Sequence, residues 1–89
     1  MENQEVKFQI HPEAIFTQMG DQMVILHYDS GVYYALNEVG ARIWQLLEQS
    51  KTQREIIAQL FQEYNVAEAQ LAQDLNKLIG DLQREGLIV

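Results

Sequence analysis

The sequence predicts an α+β fold in which a three-stranded antiparallel sheet is followed by three helices. Up to residue 36 the apolar residues recur at every second position, which is typical of half-buried strands. From residue 37 onwards they recur every three or four positions, which is typical of amphipathic helices. The connections between these segments are short and none is of low complexity, so we expect a single domain over residues 1–89.

The strand half contains one isolated segment and a three-stranded meander. In the first segment apolar and polar residues alternate, which predicts a short edge strand. The strand should end at Pro12, because proline lacks the N–H that a sheet requires. Gly20 lies in a connection of hairpin length, and a second turn follows at residues 29–31. The predicted strands cover residues 6–10, 15–19, 23–28 and 32–36.

The helix starts are predicted from capping residues. Asn37 can accept a hydrogen bond from a backbone N–H that has no partner within the first helix. Thr52 and Glu55 have the spacing of a capping box at the start of the second helix. Asn65 and Glu68 repeat that spacing, and they predict the start of the third helix.

The third helix has a predicted stop signal at Gly86, a residue that easily adopts the left-handed conformation and lets Leu87 pack on Leu82. The second and third helices are joined closely enough to form a helix-turn-helix. The expected architecture is therefore winged-helix-like, with the strands preceding the helices. The predicted helices cover residues 38–49, 53–64 and 67–85.

Composition and charge exclude several classes of function. The 89 residues include no cysteine, which excludes disulfides and thiolate chemistry, and the net charge is −7. Winged helices often bind DNA, so a DNA-binding regulator is the alternative function. The predicted third helix, however, has only two basic residues, Lys77 and Arg84, and four acidic ones. Its net negative charge disfavours binding to nucleic acid. No segment resembles a secretion signal or a membrane span, so we expect a cytoplasmic protein without a membrane partner.

No constellation of residues predicts catalysis, a metal site or a cofactor. His11 and His27 lack the spacing of metal ligands, and the serines lie in predicted turns without an accompanying base. The glycines form no phosphate-binding loop. Asp74 and Asp81 could be interpreted as an acid/base pair, but a solvated helix face explains them better. We therefore expect neither enzyme activity nor a cofactor.

The predicted strand at residues 32–36 has the most informative sequence. As the last strand of a meander it lies at an edge, where natural sheets usually place charges or proline to block pairing with other chains. From Gly31 to Asn37 there is no lysine, aspartate, glutamate or proline. An unprotected edge beside an amphipathic helix favours the addition of an extended peptide, whose side chains enter a groove against the helix.

The sequence also resembles the PqqD family over residues 10–88. The resemblance is carried by the block from Asp29 to Trp44, which contains the pattern Tyr-x-Leu-Asn-x-x-Gly-x-x-x-Trp, and by shorter matches further on. The shorter matches are Thr52-x-x-Glu55-Ile56, Asp74-Leu75, Leu78, Leu82 and Gly86-Leu87. Where PqqD proper has a Cys-Asp-Gly-type stretch after the first helix, this chain has Leu47-Glu48-Gln49-Ser50, which favours the free-standing recognition elements of lasso-peptide and related pathways.

The resemblance implies a binding protein and not an enzyme. Members of this family hold the leader of a ribosomally made precursor peptide as an extra strand against the third strand, with contacts from the third helix. They deliver it to a tailoring enzyme, which in lasso systems implies a leader peptidase and a cyclase as partners. Together with the unprotected edge, the resemblance predicts a leader-binding site formed by Val32, Tyr33, Tyr34, Ala35, Leu36, Leu71, Asp74, Leu75 and Leu78.

Overall fold

The structure, a computed structural model, describes residues 7–89 and contains one antiparallel sheet and three helices. The strands are β1 (Ala14–Met19), β2 (Gln22–His27) and β3 (Tyr33–Leu36), in the sheet order β1-β2-β3. The helices are α1 (Glu38–Glu48), α2 (Gln53–Glu63) and α3 (Glu68–Arg84). The predicted α+β fold class is confirmed, and β3 lies at an edge of the sheet.

The core lies between one face of the sheet and the three helices. Met23 and Ile25 of β2 and Leu36 of β3 are buried on this face, and α1 packs against both strands. Helix α3 packs mainly against α2. Trp44 of α1 is completely buried, and its ring meets Phe16 edge-on at 6.2 Å between centroids. Apolar burial at the sheet–helix interface is the main stabilising contribution to a fold of this size.

The junction between β3 and α1 explains most of the Tyr-x-Leu-Asn-x-x-Gly-x-x-x-Trp pattern. Asn37 is the N-cap of α1, and its side-chain oxygen accepts a 2.9 Å hydrogen bond from the Gly40 N–H, as predicted. A Cβ at Gly40 would lie only 3.2 Å from Cδ2 and 3.3 Å from Cβ of Leu36. The first turn of α1 therefore approaches the end of β3 so closely that any side chain at Gly40 would displace Leu36.

The ends of α2 and α3 confirm two predictions and correct one. Thr52 and Glu55 form the complete capping box at the start of α2. Gly86 has a φ of +75°, and the Leu87 N–H donates to the Leu82 carbonyl at 2.9 Å, as a Schellman stop requires. The prediction that Asn65 caps α3 was wrong, because the N-cap is Ala67, which provides no side-chain hydrogen bond. The backbone of Ala67 is extended, and the helix begins at Glu68.

The predicted edge strand at residues 6–10 does not join the sheet. Val6 lies outside the described residues, and Lys7 and Ile10 form only isolated bridges, to Thr52 and Ile88. Gln9 and Val89 exchange two backbone hydrogen bonds, of 3.3 and 2.8 Å. The segment thus pairs with the C-terminal residues. Its period-2 pattern arises because Phe8 and Ile10 pack against the core while Lys7 and Gln9 face solvent.

Within residues 7–89, none of the helices has the length and apolar character that a membrane span requires. Within the same residues, no group of three or more histidine, cysteine, aspartate or glutamate side chains is placed to hold a metal ion.

The geometry at Asn37 predicts the effect of replacing it. Asn37→Ala leaves the Gly40 N–H without its partner, and we expect it to lower the free energy of unfolding by about 1 kcal/mol. This corresponds to a decrease of about 4–8 °C in Tm for a domain of this size. Asn37→Asp is the matched control, because aspartate can cap the helix equally well. Thermal unfolding measures both, and equal losses in the two variants would contradict the capping role.

Candidate functional site

The free edge of β3 offers unpaired backbone groups to a partner. The His27 N–H donates to the Val32 carbonyl at 2.9 Å, and the register then pairs Ile25 with Tyr34. Because hydrogen-bonded and non-hydrogen-bonded pairs alternate along an antiparallel ladder, Tyr34 bonds to β2. The N–H and C=O groups of Tyr33 and Ala35 consequently point away from the sheet, toward the open edge.

A groove of about 340 Å³ lies beside this edge, between β3 and α3. It is formed by residues of β3, of the first two turns of α1 and of the middle of α3, and its lining is more apolar than polar. The lining residues are Tyr34, Ala35, Leu36, Asn37, Val39, Gly40, Ile43, Asp74, Lys77, Leu78 and Asp81.

A hydrogen bond across the groove connects β3 with α3. The Tyr34 hydroxyl donates to Oδ2 of Asp81 at 2.9 Å, and Arg84 donates to Oδ1 at 2.6 Å. Lys77 lies 3.8 Å from the same carboxylate. The bond from Tyr34, followed by the bond from Arg84, lowers the pKa of Asp81, while burial and the Asp81 carboxylate raise the pKa of Tyr34. The carboxylate therefore stays ionised and holds the helix to the strand at this end of the groove.

The structure separates the predicted site residues into groups. Tyr34, Ala35, Leu36, Asp74 and Leu78 line the groove together. The side chain of Tyr33 is 71% exposed and lies on the opposite face of the sheet, while Val32 precedes β3 and does not line the groove.

Two of the predicted residues belong to the hydrophobic core. Leu71 is 1% exposed and Leu75 is completely buried, and neither lines the groove. The apolar stripe of α3 that defined them in the sequence is the face that packs on the rest of the domain. The groove meets the neighbouring stripe, on which Asp74, Leu78 and Asp81 follow one another at helical spacing.

Sequence reasoning missed six residues of the groove. Val39, Gly40 and Ile43 reach it because α1 begins directly after β3 and its first two turns lie beside the groove. Asp81 was interpreted as part of a solvated helix face, although it is half-buried and bonded to Tyr34. The signal that could have found Gly40 was its place in the Tyr-x-Leu-Asn-x-x-Gly pattern. The missed lining residues are Asn37, Val39, Gly40, Ile43, Lys77 and Asp81.

The arrangement is suited to holding an extended chain. An incoming strand can pair with the free groups of Tyr33 and Ala35, and every second side chain can then enter the apolar groove. Among the lining residues there is no histidine, cysteine or serine.

Comparison with known proteins agrees with this geometry. The sequence pattern of the family described as Coenzyme PQQ synthesis protein D (PqqD) matches residues 22–88, which include β2, β3 and all three helices. The chain belongs to the PqqD family. No curated protein matches this member of the family.

Two solved structures resemble this PqqD-family chain closely. TbiB1 in complex with the TbiA(beta) leader peptide has a TM-score of 0.85 and 32% identity, over 90% of this chain and 93% of that one. Lasso peptide synthetase B1 complexed with the leader peptide has a TM-score of 0.85 and 28% identity, over 94% of this chain and 99% of that one. Both relatives were thus solved with a leader peptide bound.

The bond between Tyr34 and Asp81 predicts a pH dependence of stability. Because folding lowers the pKa of Asp81, the unfolded chain binds more protons than the folded one between the ordinary value of about 3.9 and the lower folded value. The stability that Asp81 contributes is present above that window and is lost as the pH falls through it. Tyr34→Phe should raise the pKa of Asp81 and make this loss less steep.

Carboxyl NMR titration of Asp81 measures the pKa directly, and urea unfolding across the same pH range measures the stability. Tyr33→Phe is the control, because its hydroxyl lies on the other face of the sheet and should leave the Asp81 titration unchanged. An Asp81 pKa that is the same in Tyr34→Phe and in the wild type would show that the hydroxyl does not influence the carboxylate.

Proposed function

We propose that this protein binds the leader of a ribosomally made precursor peptide and delivers it to a leader peptidase or another tailoring enzyme of a lasso-peptide or related pathway. The leader adds to the sheet as a fourth strand at β3 and contacts α3 across the groove. The observation that carries the proposal is the free edge of β3 beside a groove with an apolar lining, in a chain that resembles, at 32% and 28% identity, two proteins solved with a leader peptide.

The backbone groups of Tyr33 and Ala35 supply the affinity that does not depend on the leader sequence. They offer two donors and two acceptors to the incoming strand, each contributing about 0.5–1.5 kcal/mol net. The groove supplies selectivity, because the leader side chains on the helix side must fit between Leu36, Val39 and Leu78. Leaders with an apolar side chain at this position should bind best.

Delivery explains how a protein without catalytic groups can accelerate a reaction. A leader held here brings its attached core peptide to a partner enzyme at an effective concentration on the order of millimolar. The reaction is faster because the core peptide is held near the enzyme, so the increase in rate should be largest at low precursor concentration. We propose that this happens in the cytoplasm, where ribosomal precursors are made. Neither a metal nor a cofactor takes part in this function.

The DNA-binding alternative receives no support from the family or from the structural neighbours. Helix α3, which would have to enter the major groove, carries Glu68, Asp74 and Asp81 against Lys77 and Arg84, and Arg84 is paired with Asp81. Too few cations remain to neutralise a phosphate backbone.

The alternation of backbone groups along β3 predicts a selective effect of proline. Ala35→Pro removes an N–H that only the leader uses and places the proline ring at the edge, so the variant should stay folded and bind at least about tenfold more weakly. Tyr34→Pro should unfold the protein, because it removes a donor to β2. Fluorescence anisotropy with the labelled leader measures the affinity, and circular dichroism verifies the fold.

Gln18→Pro is the matched control on the opposite edge of the same sheet. The Tyr28 N–H donates to Glu13 and the Ala14 N–H to His11, so the N–H groups of Phe16 and Gln18 also face away from β2. This variant should bind the leader normally. Unchanged affinity in a folded Ala35→Pro protein would refute strand addition at β3.

Replacement of two leucines of α3 by alanine should have different effects, one on leader affinity and the other on stability. Leu78→Ala enlarges the groove, and we expect it to weaken leader binding about tenfold with a small change in Tm. Leu71→Ala creates a cavity in the core, and it should lower the free energy of unfolding by about 2–5 kcal/mol. The leader affinity of the Leu71→Ala molecules that remain folded should not change. Calorimetry and anisotropy on both proteins test the contrast, and similar affinity losses in both would contradict this division of α3.

A further inference from the structure

The groove beside β3 contains two carboxylates, and the protein itself balances the charge of one of them. Asp81 accepts hydrogen bonds from the Tyr34 hydroxyl at 2.9 Å and from Arg84 at 2.6 Å. The ammonium group of Lys77 lies 3.8 Å from the same carboxylate. Both cations of this part of α3 therefore gather at Asp81, and this end of the groove has no negative charge left to offer a ligand.

Asp74 lies in the same groove without such compensation. Its Oδ1 accepts a 2.9 Å hydrogen bond from the side-chain amide of Gln70, which carries no charge. None of the salt bridges formed among residues 7–89 involves Asp74. Lys77 is only three positions away, but it lies beside Asp81 instead. Asp74 is exposed, so its carboxylate is accessible to a ligand in the groove.

The two carboxylates lie at opposite ends of the groove. Seven residues of an α-helix rise about 10 Å, which is also about the length of the extended chain from Tyr34 to Asn37. Because Asp81 is bonded to Tyr34, the Asp74 end of this stretch of α3 is the one that approaches the start of α1. Leu78 lies between the two carboxylates on the same stripe of the helix.

The side chains of a leader strand in the groove match this spacing. Side chains on one face of a strand are about 6.6 Å apart, and the four residues of α3 from Asp74 to Leu78 rise about 6 Å. The leader residue that packs on Leu78 and the residue two positions from it, toward α1, can therefore meet Leu78 and Asp74 together. A basic side chain at the second position would form a charge pair, whereas an acidic one would be repelled.

The charge of the whole protein acts in the same direction. The net charge is −7, which attracts a basic peptide and repels an acidic one before contact is made. Asp74 restricts this general preference to one position of the leader, because opposite charges across an interface fix the register and suppress wrong partners.

Resting on the proposed function, we infer that Asp74 selects leaders that carry lysine or arginine two residues away from the apolar side chain that packs on Leu78. The apolar residue contributes burial, and the basic residue contributes the register. A leader shifted by two residues would lose one of these contacts. The pair thus fixes where the attached core peptide begins relative to the protein.

The test is a charge exchange between the protein and the leader. The probes are the fluorescently labelled leader of the cognate precursor and a set of analogues, in each of which one lysine or arginine is replaced by glutamate. We expect Asp74→Asn to weaken binding of the natural leader about threefold and Asp74→Lys about tenfold. The analogue changed at the selected position should bind Asp74→Lys at least about tenfold more tightly than it binds the wild type. High salt should reduce both differences, because it screens the charges.

Asp21→Lys is the matched control. Asp21 is exposed in the turn that joins β1 and β2 and does not line the groove, so this substitution makes the same change in net charge outside the site. It should change leader affinity by less than about twofold. If Asp74→Lys has a lowered Tm, Asp74→Asn replaces it, and this variant should discriminate less than the wild type between the natural leader and the analogue.

The outcomes separate the two proposals. Wild-type protein that fails to bind the natural leader would overturn the proposed function, and this inference with it. Normal binding by the wild type, with equal effects of Asp74→Lys and Asp21→Lys, would overturn the inference alone. A natural leader without basic residues, or a set of analogues of which none prefers Asp74→Lys to the wild type, would also overturn it.

Discussion

The close contact between the first turn of α1 and the end of β3 is the constraint on which the rest of the structure depends. Because Gly40 has no side chain, the helix can begin directly against Leu36, and the Asn37 cap fixes the direction in which it leaves the strand. This angle carries Val39 and Ile43 to the floor of the groove and sends Trp44 into the core. A wider corner would leave neither a groove beside β3 nor a place for Trp44.

The same corner explains why the sheet edge stays free. Helix α1 covers the face of the sheet, and α3 packs mainly on α2, so β3 has β2 as its only strand partner in the described part of the chain. The Tyr34 hydroxyl and Asp81 then hold α3 at a fixed distance from the strand. An edge that is rigid before binding costs less conformational entropy to occupy than one that must first be ordered.

Helix caps and helix stops could be predicted from the sequence where they depend on residues only a few positions apart. The Asn37 cap, the Thr52 capping box and the Gly86 stop each depend on neighbours along the chain, and all three are confirmed. Asn65 has the spacing of a capping residue but does not cap α3, because the N-cap is Ala67, two residues further along the chain. The groove could not be predicted fully, since its residues meet only after the helices pack. Tyr34 and Asp81 are 47 positions apart, and the stripe of Leu71 and Leu75 lies beside the groove rather than in it.

The pairing of Gln9 with Val89 makes the described backbone almost a closed ring. Neither of the two paired segments can separate alone, because each loses its hydrogen bonds when the other leaves. The two segments should therefore exchange their amide protons as one cooperative unit. Such pairing also means that a linker could join the two segments, and new ends could be opened at the exposed Gly20-Asp21 turn between β1 and β2. The order of the elements along the chain is thus a less fundamental property of this domain than their arrangement in space.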